Sequence, residues 1–149
     1  MRLVLQRVKK ASVFVDNRVV GEIGLGLLVL LGVEQNDDKE DVLWLVKKLL
    51  GIRVLSDENG KMNLSLKQVN GSVLVVSQFT LHASTKKGNR PSYMNAAEPK
   101  KANEFYEEFI LQIKNEGVQV QTGVFGANMQ VELINDGPVT IVLDSKNKE

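Results

Sequence analysis

The sequence predicts a single α/β domain over residues 1–149, with a mixed, largely antiparallel, barrel-like sheet and two main helices. Short runs of aliphatic and β-branched residues recur from Leu3 to Val33 and again from Val118 to Leu143, which reads as strands. Two separate segments carry apolar residues at helical spacing, and neither a linker nor an internal repeat divides the chain. At 149 residues the chain can bury a core without disulfide or metal staples.

The first strands are Leu3 to Val8 and then Ala11, Val13 and Val15, alternating with polar or outward positions. A turn near Asp16-Asn17 returns the chain through Val19 to Ile23 as a hairpin. Leu25 to Val33 is nearly all apolar apart from Gly26 and Gly32, as expected of a central strand covered on both faces. Asp37 or Asp38 can cap the first helix, in which Val42, Leu45, Val46 and Leu49 share one stripe that ends near Gly51. Trp44 lies off that stripe and is expected to pack or face a partner rather than to take part in chemistry. Asn59-Gly60 marks a turn, and Val73 to Val76 forms a buried strand that delivers Ser77-Gln78-Phe79-Thr80 at its C-terminal end. Residues 82–98 form a polar loop longer than an idle connection needs. Pro99 opens the second helix, with Ala102, Phe105, Tyr106, Phe109, Ile110 and Ile113 on its apolar face and Gly117 closing it. Strands at 118–124, 128–134 and 139–143 follow, and the polar residues from Ser145 to Glu149 are expected to fray.

The composition excludes several function classes. With 43% hydrophobic and 25% charged residues the chain reads as globular, and the apolar run from Leu25 to Val33 is too short to span a bilayer. No membrane association is expected. The N-terminal stretch lacks the apolar and small-residue regions of a signal peptide, so a cytoplasmic location is expected, and the absence of cysteine agrees with it. Without cysteine there is no thiol catalysis and no thiolate metal site. One histidine and scattered carboxylates give no metal-ligand spacing, and Gly21, Gly24 and Gly26 precede a strand instead of opening a helix, so neither a required metal nor a nucleotide cofactor is expected. A net charge of +1 argues against indiscriminate nucleic-acid coating. Local charge differs: Lys86, Lys87, Arg90, Lys100 and Lys101 face the single acid Glu98, a run that suits either a solvated surface or a few phosphates.

Residue types alone leave one conventional pairing, Thr80 with His82, which would share a face only if the strand continued beyond Ser77. Longer motifs point elsewhere. Ser77-Gln78-Phe79-Thr80-Leu81 and Asn135-Asp136-Gly137-Pro138-Val139-Thr140 occur together with Gly88-Asn89-Arg90-Pro91-Ser92-Tyr93 and with Gly123-Val124-Phe125-Gly126-Ala127 followed by Met129. Gln6-Arg7-Val8 and Lys61-Met62-Asn63 lie in the expected order between and before them. In these motifs the chain resembles the D-aminoacyl-tRNA deacylases over nearly its whole length, with Tyr93 where that family more often has Phe.

The resemblance implies hydrolysis of the ester of D-aminoacyl-tRNA, and by the same steric logic of glycine mischarged on alanine tRNA, as chiral proofreading in translation. It implies a homodimer in which Gly137 and Pro138, joined by a cis bond, reach the partner's site and reject L substituents. Ser77, Gln78, Phe79 and Thr80 would form the catalytic element, with the amides of Phe79 and Thr80 directed at the developing oxyanion and the Thr80 hydroxyl shaping the site instead of attacking. Phe125 and Met129 would join Gly137 and Pro138 in substrate binding, with Phe79 and Phe125 bracketing the terminal adenosine. Plain core packing is the other reading of both rings. Two further functions stand beside this one: an RNA-binding module without turnover, using the basic stretch and an exposed ring, and a small-ester hydrolase built on Thr80 and His82.

Overall fold

The computed structural model describes residues 1–148. Its organising element is β1 (Arg2–Val15), a 14-residue strand in which buried and outward positions alternate. Along one edge, residues from Arg2 to Val8 pair antiparallel with β3 (Gly26–Gly32), and those from Ala11 to Val15 pair with β2 (Arg18–Ile23). Asp16 and Asn17 make the hairpin turn with φ of 49° and 60°, the left-handed region that Asp and Asn tolerate better than most side chains. The other edge of β1 pairs with β8 (Gln130–Asp144) over nearly its full length.

β3 is buried at all but one position and runs parallel to β6 (Ser72–Ser77), which in turn runs parallel to β7 (Val120–Thr122). The strand order β2-β1-β3-β6-β7 curls until β7 meets β2, leaving the barrel nearly closed. β4 (Leu55–Ser56) and β5 (Met62–Leu64) form a separate small ribbon joined by the expected turn at Gly60, whose φ is 73°.

Two apolar clusters account for the fully buried β3. Val8, Ala11, Val13, Ile23, Leu28, Leu74 and Val76 fill the barrel interior. On the other face Leu3, Leu5, Leu27, Val29 and Leu31 meet α1 (Lys39–Gly51) and α2 (Pro99–Asn115). Val42, Leu45, Val46 and Leu49 of α1 are all buried, each such side chain contributing roughly 1.5–3 kcal/mol by leaving water. Asp38 caps α1, accepting from the amides of Glu40 and Asp41, while the Asp41 carboxylate accepts from the Asp38 amide. α2 begins with Pro99 at its first turn and buries Ala102, Tyr106, Phe109, Ile110 and Ile113. Trp44 packs against the core edge, with Lys48 and Lys148 over its ring.

Three expectations change. The strand expected at 118–124 is confined to Val120–Thr122, and those expected at 128–134 and 139–143 are one strand, β8. Gly137-Pro138 lies within that strand and bulges from it before pairing resumes at Thr140. Nor does the tail fray from Ser145 onward, although Glu149 lies outside the described residues. The Ser145 side chain is buried, accepting from the Met1 ammonium at 2.7 Å and donating to the Met1 carbonyl at 3.1 Å. That ammonium also pairs with Asp37, so Asp37 serves the chain start while Asp38 caps the helix. Lys146 reaches Asp41 at 2.7 Å.

Burial alone would raise the Asp41 carboxyl, but hydrogen bonds from Lys146, the Asp38 amide and Ser145 outweigh it and bring the group down from 3.8 to about 2. Because the folded value is the lower one, the resulting stabilisation is complete above about pH 4 and disappears as pH falls through about 2. Lys146→Met is therefore expected to lower stability more at pH 7 than at pH 3 and to leave it unchanged below about pH 2, as followed by urea unfolding with circular dichroism at each pH.

Candidate functional site

β6 ends at Ser77, where the Gln78 amide makes the last bond to the Leu31 carbonyl at 2.7 Å. The chain then leaves the sheet in a short 3-10 turn over Phe79–His82. A Cβ on Gly32 would lie 3.0 Å from the Gln78 carbonyl oxygen and 3.0 Å from Leu81 Cβ, so glycine there lets the turn sit directly on the end of β3. Arg2 fixes the turn from the other side, donating to the Leu81 carbonyl at 2.6 Å while its guanidinium pairs with Asp144 at 2.8 Å. Burial acts to raise the Asp144 carboxyl, yet bonds from the Lys146 amide and Arg2 hold it below the usual carboxylate range.

Beside this turn opens an apolar cavity of about 600 Å3. Ser77, Gln78 and Phe79 line one side, and Phe125, Gly126, Ala127, Met129 and Val131 line another. The small side chains of Ala96, Ala97 and Ala102 leave the space open where α2 begins. Phe79 is 55% exposed at the mouth and meets Tyr93 edge-on, with ring centroids 5.0 Å apart. Phe125 packs against Tyr106 at 5.8 Å. Plain core packing thus does not describe Phe79, whereas Phe125 is partly packed against the core.

Tyr106 escapes a sequence reading that counts it only as part of the helix stripe. Its hydroxyl donates to the Val75 carbonyl at 3.0 Å, and burial raises its phenol to about 12 despite a bond with Thr122. It is a neutral wall of the cavity at any physiological pH. Thr80 accepts a hydrogen bond from Gln78 Nε2, so the two side chains form a closed pair. The amides of Phe79 and Thr80 sit in the first turn of the 3-10 segment, where N–H groups have no earlier carbonyl within the turn to bond.

The Thr80/His82 dyad does not form. The strand stops at Ser77, so the two residues share no strand face, and His82 is buried with its Nε2 unpartnered. Among the described residues no group of three or more His, Cys, Asp or Glu side chains is gathered in a way that could hold a metal ion.

Gly137 and Pro138 lie apart from the cavity lining, exposed on β8. Asn135 pairs with Val8 and Thr140 with Gln6, so residues 136–139 all stand opposite the single residue Arg7. The peptide bond between Gly137 and Pro138 is cis. Arg7, 8% exposed, braces the bulge: its Nε donates to the Asp136 carbonyl at 2.8 Å, and Nη1 donates to the Val54 carbonyl at 2.8 Å. From within the bulge, the Val139 amide donates to Asn135 Oδ1 at 2.8 Å. Gly137 has a φ of 141°, and a Cβ there would stand 2.9 Å from the Val139 nitrogen.

Residues 4–144 match the family described as D-Tyr-tRNA(Tyr) deacylase. The chain belongs to this deacylase family. Among curated relatives, a D-aminoacyl-tRNA deacylase of Flavobacterium psychrophilum is 55% identical over 150 residues, covering 100% of both chains. A second, from Thermosipho africanus, is 56% identical over 146 residues and covers 98% of each. In solved structures, one titled c-Myc DNA Unwinding Element Binding Protein superposes with a TM-score of 0.91 at 40% identity, covering 97% of this chain and 98% of that one. Another, described as a probable eukaryotic D-amino acid tRNA deacylase, has a TM-score of 0.81 at 18% identity, covers 95% and 97% of the two chains, and speaks to the fold alone. This deacylase is thus a hydrolase of aminoacyl-tRNA ester bonds built on a nearly closed barrel with two helices. No described helix is long and apolar enough to cross a membrane.

In the deacylase the guanidinium of Arg7 is the main brace of the bulge, and the single nitrogen of a lysine cannot reach the Asp136 and Val54 carbonyls as the two guanidinium nitrogens do. Arg7→Lys is expected to lower stability in urea by about 2 kcal/mol by leaving a buried carbonyl unpaired. Amide exchange should quicken at Asp136, Gly137 and Val139 more than in β3.

Proposed function

We propose that the cavity holds the aminoacylated 3′ terminus of a D-aminoacyl-tRNA, and that water hydrolyses its ester beside the Phe79 and Thr80 amides. The observation that carries this reading is the seating of Ser77-Gln78-Phe79 at the lip of a preformed apolar cavity, with the two amides free of the sheet. An aminoacyl ester is already an activated acyl group, so positioning and oxyanion stabilisation suffice without a side-chain nucleophile. One preorganised donor elsewhere is worth roughly 3 kcal/mol, and two would supply a large acceleration. In this reading Gln78 orders the site through Thr80, Phe79 and Phe125 bracket the terminal adenosine, and Met129 forms a wall. Tyr106 closes the apolar floor.

Chirality is read by exclusion. A thousandfold preference corresponds to ~4 kcal/mol, which a steric clash supplies more readily than added attraction does. Gly137-Pro138 fits that role because the bulge is braced by Arg7, exposed, and absent from its own chain's cavity lining. The wall is therefore supplied by a second copy, in a C2 homodimer with two composite sites. The outer side of β8 is suited to such a contact, since Ile134 and Val142 are exposed there at 46% and 60%. A non-catalytic nucleic-acid-binding module is a second reading, favoured by the similarity to the c-Myc DNA Unwinding Element Binding Protein and by the exposed cations near Arg90.

The deciding measurement charges one tRNA in parallel with D-Tyr and L-Tyr. Rapid loss of the D ester with the L ester spared is expected; equal rates would make the protein a general esterase, and loss of neither would favour the binding module. Gly-tRNA, including glycine on alanine tRNA, should also be cleaved, because a wall that clashes with an L side chain meets none in glycine. Its survival alongside rapid D-ester loss would sink the steric account. Gly137→Ala forces Cβ against the Val139 backbone and is expected to cut D-over-L selectivity by at least about tenfold, or ~1.4 kcal/mol. Thr80→Ala should lower kcat by less than about tenfold; abolished turnover would restore a nucleophilic threonine.

A further inference from the structure

The segment from Ser84 to Ser92 is a pinched loop. Ser84 and Ser92 exchange both backbone hydrogen bonds at 2.8 Å, and the Gly88 amide donates to the Thr85 carbonyl at 3.2 Å. At its tip Lys86, Lys87 and Arg90 are all exposed, and no acid lies in the sequence between them. Among the described residues, none of the ion pairs involves these three cations, whereas Arg2, Arg7, Lys67 and Lys146 each have a carboxylate.

The chain just beyond the loop is fixed to the cavity rim. Gln35 donates from its backbone amide to the Asn95 carbonyl at 3.1 Å and from its side-chain Nε2 to the Met94 carbonyl at 2.6 Å, and the Ala97 amide donates to the Val33 carbonyl at 3.0 Å. Tyr93, one residue beyond the pinch, lines the cavity itself. Arg90 is three residues from Tyr93, which places its Cα within about 10 Å of the Tyr93 Cα.

A held cluster of three unpaired cations beside the mouth of an otherwise apolar cavity fits a ligand whose reactive end enters the cavity and whose charge stays outside. We propose that the Ser84–Ser92 loop is a phosphate clamp that grips the polynucleotide backbone next to the acylated terminus. Lys86, Lys87 and Arg90 neutralise phosphates, and the rigid pinch spares the cost of ordering a free loop on binding. The inference rests on the reading of the cavity as the ester-binding site. It adds that recognition extends past the terminal nucleoside, so an acylated adenosine alone is a poorer substrate than the same ester on RNA.

The test compares D-Tyr-tRNA with D-tyrosyl-adenosine, using the full protein and the triple variant Lys86→Ala, Lys87→Ala, Arg90→Ala. The protein's preference for the tRNA ester, expressed as a ratio of kcat/KM values, is expected to fall at least about tenfold in the variant, through KM. The slope of log kcat/KM against log salt on tRNA should become shallower by roughly 2 to 3, as the loss of three phosphate contacts requires. An unchanged ratio and an unchanged slope would overturn the clamp and leave the loop a solvated surface or an acidic-protein contact. If the unaltered protein cleaves neither D ester, the reading of the cavity fails instead. Fluorescence anisotropy with an uncharged acceptor-stem minihelix then decides the clamp separately: weaker binding with a shallower salt slope in the variant supports it, and identical curves overturn it.

Discussion

The parallel pairing of β3 with β6 constrains everything around it. A parallel pair cannot be joined by a tight turn, so α1 and the small β4-β5 ribbon make the crossing between them. Nor can such a pair leave a face in water when nearly every residue of both strands is apolar, and the chain covers it on both sides. The two helices take one face and the barrel interior takes the other. The pairing ends at Leu31 and Ser77, and the chain leaves the sheet at the point where the interior meets the start of α2. A cavity arises there because Ala96, Ala97 and Ala102 fill little of the junction.

Much of this was legible in the sequence where a residue's neighbours in space are also its neighbours in the chain. The Asp16-Asn17 hairpin, the α1 and α2 stripes and the arrival of Ser77-Gln78-Phe79 at a strand end all follow from period, cap and turn chemistry. What stayed hidden depends on distant partners. Gly137-Pro138 has the composition of a turn, and only the pairing of Asn135 with Val8 and of Thr140 with Gln6 shows that one strand continues through it. Ser145 looks like the start of a loose tail because its partner is Met1, at the other end of the chain. The motif residues of the candidate site could be singled out in advance; Tyr106 and the three alanines could not, since a void is a property of packing and has no period.

Arg7 joins two parts of the molecule that no local pattern links. Its guanidinium satisfies the carbonyls of Val54, before β4, and of Asp136, in the bulge. A charged group this well buried is tolerable because its donors are taken by fixed acceptors and its charge lies 3.4 Å from the Asp136 carboxylate. The consequence is a rigid exposed segment, which a steric selector requires and a flexible loop would not provide.

The four-against-one mismatch at Arg7 also bears on how such a protein can change over generations. Because β8 regains its register with β1 on both sides of the bulge, residues 136–139 are uncoupled from the inward and outward alternation of the strand. A substitution or a length change within them leaves Val131 and Leu133 facing the barrel and Ile141 and Leu143 facing the helix-side core. The projection is therefore specified apart from the strand on either side of it, with Val139 as its one tie to the helix-side core. A one-residue insertion elsewhere in β8 would instead turn the strand beyond it inside out.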